Sequence, residues 1–232
     1  MRCVVTGVVE IMSLSGSSVE NSGRKRNLAL GIDLRSGPRY PTGLATMDGD
    51  RRCHRIAVVR GDEEILEAIE EAQPRVVAID APLALPEGRD CADPTCACAS
   101  AGIMREVDRI AAREGYRPFP TLLPSMVKLT LRGIALRETI EARGYEVLEV
   151  YPGMTQDVLG VPRKRTGLDD LRRGLKRQGV LGIPRSRRLN HDELDAVTCA
   201  LTGVLYLDGL TEVMGPGVPV PLVLPDRALP WR

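Results

Sequence analysis

Apolar runs and polar breaks alternate along the chain, and the length of each run predicts an element. Leu28-Ala29-Leu30-Gly31-Ile32-Asp33-Leu34 is apolar apart from one carboxylate and is followed by Arg35-Ser36-Gly37-Pro38, which predicts a buried strand. Residues 43–47 predict a second strand, Asp48-Gly49-Asp50 a hairpin turn, and residues 55–59 a third strand. Asp62 opens a helix through Ala72, with Ile65, Leu66 and Ile69 at helical spacing and Pro74 beyond its end. Residues 75–80 form another apolar strand that again ends in a carboxylate, Asp80. Residues 83–125, dense in Pro, Cys and charge, predict an insertion holding one helix over 103–114. A longer helix over 126–143 closes on Gly144, a fifth strand spans 145–150 and stops at Pro152, and a basic helix spans 167–178. The last helix spans 191–207. Three meandering strands followed by α-β-α-β-α predict an α/β fold, a mixed five-stranded sheet flanked by helices.

Domain organisation follows from the breaks. Residues 13–27, rich in Ser, Gly, Asn and basic side chains, predict a linker, so 1–26 is expected to be leader and linker. Residues 27–208 are expected to form the domain. Residues 209–232 form a Pro-rich tail, packed on the domain or trailing from it, whose extended 218–224 can pair on a sheet edge.

Composition narrows the function classes. An aromatic content of 3% removes most stacking platforms for single-stranded nucleic acid. The net charge of +1 conceals an asymmetry: between Arg163 and Arg188 stand ten basic residues against Asp169 and Asp170. Such a segment fits a polyanion partner as well as it fits a solvated helix face and basic loop. Residues 1–18 carry one Arg and no small-residue cleavage site, and no run approaches the ~20 apolar residues that span a bilayer, so a cytoplasmic protein without a membrane partner is expected. Monomer and dimer both stay open.

The chemistry concentrates in acids. Asn190 and Glu193 form a capping-box pattern, which places Asp192 and Asp195 three apart on one face of the last helix's first turns. Further along that face stand Ala196, Cys199 and Gly203, small enough to let the helix approach a sheet closely. Leu194, Val197, Leu201, Val204 and Leu205 form the larger apolar side. Close approach would bring Asp192 and Asp195 to the strand ends that carry Asp33 and Asp80. Singly, each Asp fits a cap or turn. Together they repel one another unless a divalent cation joins them, and hard oxygen ligands suit Mg²⁺ or Mn²⁺. Two such ions about 3.5–4 Å apart activate water and stabilise the leaving oxygen in phosphodiester cleavage.

The ordered stretches GID, AIDAPLALP and HDELDAVTCA, with REVDRIAAREG, EVYPGMTQDVLG and KRTGLDDLRRGL between the last two, resemble the DUF429 family of predicted nucleases in the ribonuclease H-like superfamily. The resemblance covers about residues 28–208. It implies a ribonuclease H-like fold with metal ligands at Asp33, Asp80 and Asp192 or Asp195. It also points to Glu149, a further candidate catalytic acid, and to Tyr151 and Lys164. The resulting expectation is a metal-dependent nuclease whose basic segment, with Lys164, Arg165 and Arg172, holds the nucleic-acid backbone. His191 would shuttle a proton or position water, unless it is a surface residue of the first turn. Two alternatives stand beside it: a nucleic-acid-binding or regulatory module without turnover, and a phosphotransferase or nucleotide hydrolase of the related actin-like fold. Against the latter, the loop after the first strand has no glycine-rich phosphate cradle.

Cys91, Cys96 and Cys98 form C-x4-C-x-C, with Cys53-His54 as a distant partner pair. Zinc knuckles use C-x2-C, so free thiols are expected ahead of structural zinc, and a disulfide stays open for a hyperthermophile source.

Overall fold

Alternation along β1 (Ala29–Asp33) sets the layers in the computed structural model, which describes residues 27–231. The leader expected at 1–26 lies outside the described residues. Leu30 and Ile32 join one core, with Leu44, Val77 and Ile79 from neighbouring strands. Ala29, Gly31 and Asp33 turn to the other face, where small side chains predominate.

Six α-helices lie among the described residues: α1 (Asp62–Ala72), α2 (Glu106–Arg113), α3 (Val127–Ala142), α4 (Pro152–Val158), α5 (Leu168–Arg177) and α6 (His191–Leu207). Those matching the hydrophobic pattern fall within a few residues of it. Pro152, expected only to stop the fifth strand, also opens α4, because the N–H that proline lacks is unsatisfied at a helix start anyway. No helix among the described residues is long and apolar enough to cross a membrane.

The sheet is mixed and has seven strands, not five. β1 pairs antiparallel with β2 (Thr42–Met47), and β2 with β3 (Cys53–Val59). On its other side β1 runs parallel to β4 (Val76–Asp80), and β4 to β5 (Glu146–Val150). The two added strands come from the Pro-rich segment after α6. β7 (Leu222–Pro225) lies parallel to β5, and β6 (Thr211–Met214) closes the edge antiparallel to β7, giving the order β3-β2-β1-β4-β5-β7-β6. The extended 218–224 expected at an edge therefore contributes to an internal strand, with its Pro225 at the strand end.

α1 and α3 cover the large-residue face through Ile65, Ile69, Leu136 and Ile140. α6 lies across the small-residue face. It is buried from Asp192 to Leu205, because α4, α5 and β7 cover the larger apolar side turned away from the sheet. Two glycines make the approach possible. A Cβ on Gly31 would stand 2.2 Å from Ala196 O and Ala200 N, and one on Gly43 would stand 2.0 Å from Asp192 O. The obstruction in each case is helix backbone, which cannot rotate aside. Gly31→Ala is therefore expected to cost about 3 kcal/mol or more, seen as a lower urea midpoint at unchanged slope. A midpoint equal to the parent's would show that the helix can lift without penalty.

Candidate functional site

The site grows from two equivalent strand ends. Asp33 and Asp80 are register partners on adjacent parallel strands, so their side chains leave the same face at the same level. Gly43, the partner of Asp33 on its other side, leaves room for the first turn of α6. The Asn190 side chain accepts from Glu193 N, and the Glu193 carboxylate accepts in turn from Asn190 N, which fixes where that turn begins. Asp192 and Asp195 are thereby presented beside the strand ends. Asp33, Asp80, Asp195, Glu149 and Lys164 line one cavity of about 350 Å³. Carboxylate oxygens of Asp33 and Asp192 and a ring nitrogen of His191 lie within 4.8 Å of one another.

The partners of these acids are unequal. Asp195 is well held: Gln156 Nε2 donates to one oxygen at 2.9 Å and Lys164 Nζ to the other at 2.8 Å. Asp33 Oδ2 and Asp192 Oδ1 are buried without a hydrogen bond among the described residues. Arg35 Nη1 at 3.4 Å and His191 Nδ1 at 3.0 Å approach Asp192 Oδ1 out of line for hydrogen bonds, the guanidinium as a charge. Burial, then the like charges of Asp80, Asp195 and Asp192, pushes Asp33 up to about 9, with Lys164 opposing. Burial and Asp195 push Asp80 up to about 8, again against Lys164. Asp33 and Asp80 thus stand among like charges with too few cations beside them to hold both ionised.

A further acid on the cavity wall is differently placed. Glu149 has both oxygens engaged: Arg105 donates to each at 2.6 Å, and Leu83 N donates to Oε2 at 2.8 Å. Arg105 also grips Asp108 through Nε at 3.1 Å and Nη2 at 2.8 Å, and Thr121 Oγ1 adds a 2.6 Å bond to Asp108. All three charged side chains are buried. Burial raises Glu149 above the usual range even against the pull of Arg105. Sequence reasoning missed Arg105, Asp108 and Gln156 as site residues. The first two stand three apart in REVDRIAAREG and the third lies in EVYPGMTQDVLG, so the stretches were visible and their partners were not.

The basic segment is dispersed. Lys164 sits on Asp195, and Arg163 pairs with Asp157 while lying 5.9 Å from the Tyr151 ring centre. Arg165 is exposed on the short turn Lys164–Thr166 and does not line the cavity. Arg172 donates to Pro184 O and lines a separate hollow against Asp169 and Asp170. Arg187 pairs with Glu193 at 2.7 Å. The structure thus brings Lys164 to the acids and leaves Arg165 and Arg172 outside.

Together these features define an α/β protein with a four-carboxylate centre at the carboxyl ends of its parallel strands, the usual location of ligands in open α/β sheets. The chain belongs to the DUF429 family, described as a protein of unknown function, whose model matches residues 31–219. That span contains every acid of the centre and the strands and helices that place them. No curated protein matches the chain. Among solved structures it is similar to Thermus thermophilus RuvC in complex with a Holliday junction substrate, at 16% identity and a TM-score of 0.45, covering 78% of this chain and 96% of that one. A second Thermus thermophilus RuvC structure is similar at 15% identity and a TM-score of 0.45, with the same coverage.

Proposed function

We propose that this chain is a metal-dependent nuclease on a ribonuclease H-like plan, hydrolysing phosphodiester bonds in nucleic acid. One observation carries the assignment: Asp33 and Asp192 stand together in a centre of four carboxylates, and Asp33 Oδ2 and Asp192 Oδ1 are buried without hydrogen-bond partners among the described residues. A bare buried oxygen such as Asp33 Oδ2, which no cation of the described residues pairs, is too costly to keep without a counter-charge, and hard oxygen donors suit Mg²⁺ or Mn²⁺. Asp33, Asp80, Asp192 and Asp195 would hold the metal between them. Bound there, the metal would act as a Lewis acid and supply hydroxide at neutral pH.

The chain's own residues divide the remaining work. Gln156 keeps the Asp195 carboxylate oriented by holding one of its oxygens. Lys164, half-exposed, is placed to exchange Asp195 for a phosphate oxygen of the substrate. Arg35, partly exposed beside Asp192, can take a second phosphate oxygen. His191, exposed with Nδ1 at Asp192, can hand a proton to or take one from solvent through its other nitrogen. Glu149, fully engaged with Arg105 and Leu83, acts as an anchor of the cavity wall and ligates no metal.

A binding module without turnover has one observation in its favour. Lys164 already neutralises part of the acidic set from within the chain. Cleavage of labelled branched, hybrid and single-stranded substrates separates the two. Metal-dependent nicking of at least one substrate, abolished by a chelator, is expected with Mg²⁺ or Mn²⁺. Nucleic acid bound but intact under both metals would move the assignment to the binding module.

A further inference from the structure

The insertion between β4 and α3 holds a second cluster, of opposite chemistry to the acids. Cys98 Sγ lies 3.3 Å from Cys96 Sγ and 3.7 Å from Cys91 Sγ, and all three sulfurs fall within 4.8 Å of one another. All three are free and half-buried. Sulfurs bound tetrahedrally to zinc at about 2.3 Å stand about 3.8 Å apart, so the cluster needs shifts of only tenths of an ångström to close on an ion. A disulfide would draw two of them to about 2 Å and leave the third unused.

Backbone groups of Asp93 and Asp90 hydrogen-bond Cys91 and Cys98, and Cys98 Sγ donates to Cys91 O. The loop is also held: buried Arg89 donates from Nε to Cys91 O, from Nη1 to Gly102 O and from Nη2 to Asp93 O. The short helical turn Ala97–Ala101 folds Cys98 back onto Cys91, which the C-x4-C-x-C spacing did not reveal. Cys53 and His54 take no part. Cys53 is buried in β3, and His54 Nε2 lies 2.6 Å from Asp48 Oδ2.

We propose that Cys91, Cys96 and Cys98 bind one zinc ion through three thiolates, with solvent in the fourth position. Soft thiolates select a soft or borderline cation and reject the Mg²⁺ suited to the acids. Binding releases the thiol protons to solvent and moves no electrons. The same loop runs directly into Arg105, which grips Glu149 on the cavity wall, so the ion would fix the insertion that forms that wall. The site stands independently of whether the acidic centre cleaves nucleic acid.

The test uses the full chain, loaded with Zn²⁺ or Co²⁺ and desalted. About one zinc per chain is expected to remain in the parent and in Asp33→Asn alike, and to be lost in Cys96→Ser and in Cys98→Ser. Zinc should also slow alkylation of Cys91, Cys96 and Cys98, mapped by mass spectrometry, by about tenfold or more. The cobalt-loaded parent should show thiolate-to-metal charge-transfer absorption, which a carboxylate centre cannot produce and which needs no variant to fold. Zinc lost on Asp33→Asn but kept in the serine variants, alkylation unaffected by zinc, or a cobalt spectrum without the thiolate band would each overturn the proposal.

Discussion

Asp33→Asn is expected to lower metal-dependent cleavage by about a thousandfold or more, about 4 kcal/mol in the barrier, while making the metal-free protein more stable at alkaline pH. The second half follows from linkage. Asp33 and Asp80 titrate near 9 and 8 in the folded protein, against an ordinary 3.8. The folded state therefore holds their protons more tightly than the unfolded chain does. Their contribution is present in full below about pH 4 and is lost as pH rises toward 8 and 9. Between pH 6 and 9, where ordinary carboxylates no longer titrate, the metal-free parent should lose thermal stability. Asp33→Asn should flatten that loss and raise the midpoint at pH 9 by about 3 °C or more. Mg²⁺ should stabilise the parent there and the variant much less. Thermal unfolding at several pH values, with chelator or with Mg²⁺, reads all of this. Equal pH slopes for parent and variant, or undiminished cleavage, would count against the four-carboxylate centre.

Arg105→Ala should produce the largest loss of stability of any single charged-residue change. It strands two buried carboxylates, Glu149 and Asp108, which the guanidinium now bridges. Removing one partner of a buried ion pair costs about 3–5 kcal/mol, which for a chain of this size is a fall of about 10 °C in the unfolding midpoint. Arg105→Lys should recover little, because an ammonium cannot make the paired bonds to both oxygens of Glu149. Adding Glu149→Gln to Arg105→Ala should restore part of the loss, since one stranded charge is then gone. Calorimetry on the three variants checks the order. An Arg105→Ala midpoint near the parent's would mean that water reaches both carboxylates and that the wall is open.

The acids were legible because their positions follow local rules. Asp33 and Asp80 each close an apolar strand of similar length, and the parallel pairing of β1 with β4 sets them level. Asp192 and Asp195 were placed by a capping box, which reads directly from Asn190 and Glu193. Gly31 and Gly43 were visible as glycines, but their function as gaps for helix backbone needed the helix in place. Lys164 on Asp195, Gln156 on Asp195 and Arg105 on Glu149 join residues 31, 39 and 44 positions apart, and no periodicity encodes such partners.

What the sequence determined by itself is therefore the set of elements and the ends at which charge accumulates, since hydrophobic period and capping chemistry act within a few residues. The tertiary structure alone decided three further matters. It drew β6 and β7 from a Pro-rich tail into the sheet, because β5 offered an unpaired edge for Leu222–Pro225 to satisfy. It turned both oxygens of Glu149 to Arg105, a buried cation 44 positions away in the chain. It gathered three cysteines whose spacing fits no zinc knuckle, because a single helical turn bends the chain back on itself. Each of these depends on which distant groups close packing leaves opposite one another, and that is settled only when the chain has folded.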